Sequence, residues 1–184
     1  SMDRAEAHLR KLTENTEKTV QAMAREELNL FESKKTPFAL KFTGLDGKPV
    51  DFEQLRGKVV GVYFWSTTNS TSTKKIEPLK RIHSTYRKRG FEMVGVSYDT
   101  EADRAKLIKT IKDSRLPWPI YFDGKGAKGE LAPRLNATSV PRLYLFDQKG
   151  ILQTTVAGSP VARLTADIPD SQFESTIKKL LGVK

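Results

Sequence analysis

The chain contains no cysteine. That absence excludes disulfides, thiolate metal sites and thiol nucleophiles. Histidine is almost as scarce, with only His8 and His83 present. The two lie far apart, and neither has a second ligand at metal spacing or a nucleophile close in sequence. No metal site and no Ser–His catalysis is expected. Long apolar runs are also missing, since none approaches the roughly 18 residues that a membrane span requires. The chain opens on Ser1-Met2-Asp3-Arg4 without the apolar segment of a signal peptide. A serine ahead of the methionine reads as a tag remnant, which leaves open an upstream extension of the natural chain and an export signal within it. Acidic residues are outnumbered, 22 against 32 Lys and Arg, for a net charge of +10. Such a balance suits an acidic partner. The aromatics, however, sit inside apolar runs rather than among the cations, so nucleic acid is not the expected partner.

What is present points to one globular domain with an appendage. The chain has 184 residues, 38% apolar and 29% charged, enough for a sizeable core. Residues 3–31 carry Leu9, Leu12, Val20, Met23 and Leu30 at helical intervals, which predicts one long helix. It packs on the domain or serves as a dimerising arm, although sustained heptads are missing. From Pro37 the pattern changes to strand at 38–43, an Asp46-Gly47 turn, and strand from 49. The run VVGVYFW at 59–65 predicts a strand buried on both faces. A hydroxyl-rich stretch follows, then a helix over 74–89 that stops at Gly90.

A second buried strand is expected at 91–98. Asp99 begins the cap of a helix reaching about residue 114, a short extended piece covers 120–122, and a short helix covers 130–135. Residues 142–146 and 151–156 read as a hairpin around Asp147-Gln148-Lys149-Gly150, and 171–181 as a closing helix. A helix between two buried strands makes a parallel βαβ unit. The later hairpin adds antiparallel strands to the same sheet. The order predicts an α/β fold of thioredoxin type: a mixed central sheet with flanking helices, an N-terminal β-hairpin and an extra N-terminal helix. The boundaries expected are an N-terminal helical extension at 1–34 and a thioredoxin-like domain at 35–184.

Five segments in order carry a family resemblance: FALKFTGLDGKPV at 38–50, LRGKVVGVYFWST at 55–67, GFEMVGVSYD at 90–99, WPIYFDGKG at 118–126 and SVPRLYLFDQKG at 139–150. Together they resemble thioredoxin-like proteins of the TlpA/ResA type, within the wider alkyl hydroperoxide reductase/thiol-specific antioxidant superfamily. In that family a C-x-x-C pair opens the helix after the Phe64-Trp65 strand end, where the helix N-terminus stabilises a thiolate. Here the loop reads TNSTST at 68–73. Counting from Trp65 puts the former dithiol positions at Asn69 and Ser72; counting back from Pro78 puts them at Ser70 and Thr73. Neither register supplies a thiol. A serine hydroxyl without an adjacent base does not replace one, and no catalytic residue is assigned.

The resemblance further implies that Pro141, after Val140, is a cis-proline beside the former dithiol. The groove implied would be lined by Trp65, Thr68, Ser70, Thr71, Val140, Pro141 and Arg142. Lys74, Lys75, Lys80, Arg81, Arg87, Lys88 and Arg89 add positive charge along the helix against Glu77. They are either a solvated face or a docking aid for an acidic peptide. The expected function is a redox-inactive module that binds a protein or extended peptide, with no cofactor. One alternative is a thiol–disulfide oxidoreductase or antioxidant whose cysteines have been replaced; another is an oligomerising domain of a longer chain. The family also implies an extracytoplasmic location.

Overall fold

A computed structural model describes residues 2–14, 16–32, 35–135, 137–153, 162–163 and 170–183. The buried runs found in the sequence become the sheet's two central strands. β3 (Val59–Trp65) and β4 (Phe91–Ser97) pair in parallel, with Val59 opposite Phe91 and Trp65 opposite Ser97. All seven residues of β3 are buried, because helices cover one face and loops with shorter elements the other. β5 (Ile120–Tyr121) joins the outer side of β4 in parallel. β6 (Arg142–Phe146) lies antiparallel to β3, and β7 (Ala162–Arg163) follows it, giving the order β5-β4-β3-β6-β7.

Side chains alternate across this sheet as period two requires. On one face Val59, Tyr63, Trp65, Phe91 and Met93 meet Ile76, Leu79 and Ile82 of α3 (Ser70–Tyr86). Leu107 of α4 (Arg104–Asp113) and Phe173 and Ile177 of α6 (Asp170–Leu181) join the same cluster. On the other face Val60, Val62, Phe64, Val94 and Val96 pack with Phe38, Phe52, Tyr144, Phe146, and Leu131 of α5 (Leu131–Arg134). Burying each such Leu or Phe is worth about 1.5–3 kcal/mol.

Several expectations from the sequence change. The long N-terminal helix is two, α1 (Met2–Leu12) and α2 (Lys18–Glu32), which pack together. α1 stops at Leu12, where Thr13 Oγ1 donates back to the Arg10 carbonyl at 2.6 Å and so competes with continuation of the helix. The hairpin of β1 (Lys41–Thr43) and β2 (Pro49–Asp51) forms a small sheet of its own. Its turn uses Gly47 at φ 77°. α3 starts at Ser70, four residues before the expected 74, because Asn69 caps it. The predicted strand at 151–156 is reduced to one bridge, Phe146 opposite Leu152, and residues 154–156 lie outside the described residues. The cap of the next helical stretch is Thr100 with Asp103 in a capping box, not Asp99.

Candidate functional site

The candidate site lies where β3 ends and α3 begins, opposite the segment entering β6. The crossing is short: Trp65 closes β3, residues 66–69 turn, and Ser70 opens α3. Asn69 holds an extended backbone (φ −105°, ψ 111°), and its side-chain Oδ1 accepts from the Ser72 N–H at 2.8 Å. One of the helix's orphan donors is thereby satisfied, an arrangement worth about 1 kcal/mol. The other end of the same carboxamide donates from Nδ2 to the Val140 carbonyl at 3.3 Å. Asn69 therefore ties the helix N-terminus to the segment leading into β6. The Val140–Pro141 peptide bond is cis, and both residues are half-buried.

The turn is anchored from beneath by Asp99, whose local sequence predicts a helix cap. Asp99 is 1% exposed. Its Oδ1 accepts from Ser66 Oγ at 2.9 Å, the Thr67 N–H at 3.0 Å and Thr67 Oγ1 at 2.7 Å. Its Oδ2 accepts from Ser97 Oγ at 2.7 Å. A buried carboxylate is tolerated only with such complete solvation by donors. Asp99 thus fixes residues 66–67, and through Ser66, which hydrogen-bonds Thr68 at 2.8 Å, the approach to Asn69. The only sequence signal was the hydroxyl-rich run facing an acidic residue at the end of the next strand.

The residues anticipated for the groove divide into two groups. Thr68, Asn69, Ser70, Thr71, Val140 and Pro141 keep some surface and gather around the Asn69 tie. Trp65 does not: at 1% exposure it sits in the core cluster, so its side chain offers nothing to a ligand. Arg142 is 5% exposed. Its guanidinium donates to Thr138 Oγ1 at 2.8 Å and Ser139 Oγ at 3.3 Å, bracing the loop before Pro141 from inside. Ser72 is fully buried, and its Oγ has no hydrogen-bond partner, while its carbonyl accepts from Tyr63 OH at 2.8 Å. Burial raises the Tyr63 phenol well above its ordinary range.

Among the described residues no nucleophile–base pair emerges. His83 is buried against Phe91, Trp118 and Glu92, with Nε2 3.4 Å from Glu92, and so belongs to the packing of α3. Among the described residues no group of three His, Asp or Glu side chains gathers as a metal site. Among them, too, no helix is long and apolar enough to cross a membrane.

A parallel β3–α3–β4 unit, an antiparallel β6 and a proline segment facing the helix N-terminus define a thioredoxin-fold domain. The solved structures agree. A thiol:disulfide interchange protein of the thioredoxin family from Chlorobium tepidum TLS superposes with a TM-score of 0.64 at 21% identity, over 80% of this chain and 97% of that one. A thiol-disulfide oxidoreductase from Bacteroides fragilis NCTC 9343 gives 0.64 at 22%, over 79% and 98%.

Residues 32–155 match the AhpC/TSA family, and the chain belongs to that family. Among its relatives, the thioredoxin-like protein YneN of Bacillus subtilis is 25% identical over 76% of this chain and 79% of its own. The thiol-disulfide oxidoreductase ResA of Bacillus thuringiensis is 25% identical over 75% and 72%. The absence of cysteine in a member of this family fits a redox-inactive chain.

Proposed function

We propose that this chain is a redox-inert binding module that takes an extended segment of a partner protein along the groove between residues 68–71 and 139–141. The carrying observation is the Asn69 carboxamide, which stands at one former dithiol position and bonds both the Ser72 N–H and the Val140 carbonyl. Asn69 and Ser72 are then the positions that replace the two thiols, one capping the other. The segment before Pro141 offers main-chain donors and acceptors to a strand laid alongside it, the β-addition mode of peptide recognition. Thr68, Ser70 and Thr71 supply hydroxyls on the opposite bank. Arg142 supports the bank from within and does not touch the peptide. The cations of α3 favour an acidic segment, and the module operates in the exported setting its family resemblance implies. Residues 1–34 are an appended helical unit and 35–184 the binding domain.

The test is a titration of the ¹⁵N-labelled chain with a library of acidic, extended peptides. Saturable shifts confined to 68–75 and 138–142 are expected, and a library that moves neither segment removes the groove from consideration. An insulin-reduction assay on the same chain separates the binding module from an active oxidoreductase. No thiol-dependent turnover is expected.

A further inference from the structure

A second feature lies at the outer edge of the sheet and shares no residue with the groove beside Pro141. β5 is the edge strand, and the turn of the small hairpin leans on it, the Leu45 N–H donating to the Ile120 carbonyl at 3.0 Å. α4 and the loop after it run along the other side. Between them is a cleft of about 500 Å³ lined by Leu45, Val50, Ile108, Ile111, Leu116 and Trp118. That volume falls within the range of about 300–1,000 Å³ typical of small-molecule sites, which are likewise walled mainly by apolar groups.

Two observations give the cleft a ligand class. Ile108 is 37% exposed, one of two large apolar side chains left exposed among the described residues. It lines this cleft, whereas its neighbour Leu107 is fully buried in the core. The apolar surface is therefore concave and uncovered, where water gains little hydrogen bonding. The cleft's cations are Lys48 and Lys112. Lys48 is balanced by Asp46 at 3.6 Å. Lys112, one helical turn beyond Ile108, forms no ion pair among the described residues. An apolar trough with one uncompensated cation complements a molecule with an aliphatic body and an anionic head. A cleft of about 500 Å³ lies in the small-molecule range and suits a ligand with a single alkyl chain better than the broad face of a protein helix.

We infer that this cleft binds a single-chain aliphatic carboxylate, its chain against Ile108, Ile111 and Trp118 and its head group at Lys112. The probe is decanoate, kept below its micelle concentration and titrated into the ¹⁵N-labelled chain. Saturable movement of the Trp118 indole N–H and of amides in 45–50 and 108–120 is expected, with the 68–75 and 138–142 amides still. Ile108→Glu should weaken binding about tenfold or more by placing a carboxylate among apolar walls. Lys112→Glu, at an exposed side chain with no ion pair among the described residues, should weaken decanoate several-fold while leaving 1-decanol unchanged. Both variants should keep the wild-type amide dispersion. Absence of saturable shifts overturns the inference, as does equal affinity for decanoate and decanol. Shifts produced at these residues by an amphipathic helical peptide but not by decanoate overturn it in favour of a protein partner.

Discussion

At the scale of single residues, the weight falls on side chains that hold the turn after β3. Asp99 receives four donors, so its removal leaves hydroxyls and a backbone N–H buried without an acceptor. Asp99→Ala should cost about 3 kcal/mol or more, at roughly 1–3 kcal/mol for each orphaned group that cannot reach water. Asp99→Asn, which keeps one carbonyl acceptor, should cost less; the difference in urea midpoint measures it. Asn69→Ala should cost about 1 kcal/mol for the lost cap, and Asn69→Asp, which keeps the cap oxygen but turns an acceptor toward the Val140 carbonyl in place of the Nδ2 donor, should recover only part of that loss in thermal melts.

His83 makes stability depend on pH. Burial pulls its pKa below the ordinary 6.5, with Glu92 at 3.4 Å opposing the shift. The unfolded chain therefore takes up a proton that the folded one resists. This contribution is complete above about pH 6.5 and is lost as pH falls below it. Replacing His83 by Leu should flatten the stability profile between about pH 7 and pH 5. An unchanged slope in that variant would assign the acid sensitivity to other groups.

At the scale of elements, the sheet is tightly packed at one point of β4. A Cβ on Gly95 would lie 2.4 Å from Ile120 Cδ1 and 3.2 and 3.3 Å from the indole nitrogens of Trp65 and Trp118. Gly95→Ala should destabilise by about 1–3 kcal/mol through overpacking, read as a drop in denaturation midpoint at unchanged m-value. The central elements were legible because their signals are strong: continuous β-branched and aromatic runs at 59–65 and 91–97, and the helical stripe of Ile76, Leu79 and Ile82. Element ends were not. The start of α3 at Ser70 depends on the Asn69 cap, and a run of Ser and Thr looks like loop because these residues cap and turn as readily as they continue a helix. The break after Leu12 hid for a similar reason, since the apolar stripe keeps its phase on both sides of it. Local sequence predicts Asp99 as a helix cap, whereas its partners Ser66 and Thr67 lie across the sheet.

At the scale of the molecule, the family scaffold and the family chemistry separate. The strand order, the Val140–Pro141 segment and the capped N-terminus of α3 are all in place, and in the proposed register the two thiol positions are taken by the Asn69 amide and the buried Ser72 hydroxyl. Asn69 is the N-cap and Ser72 the third residue of α3, the three-residue spacing of a C-x-x-C pair. On the proposed register, redox inactivity resides in those two side chains alone. The direct measurement is insulin reduction by the wild-type chain and by the Asn69→Cys/Ser72→Cys double variant under one set of conditions. The wild type should show only the uncatalysed rate, and the variant should form an internal disulfide and raise the rate by about tenfold or more. A folded, disulfide-forming variant that remains inert, or a wild-type chain that turns over, would contradict the account.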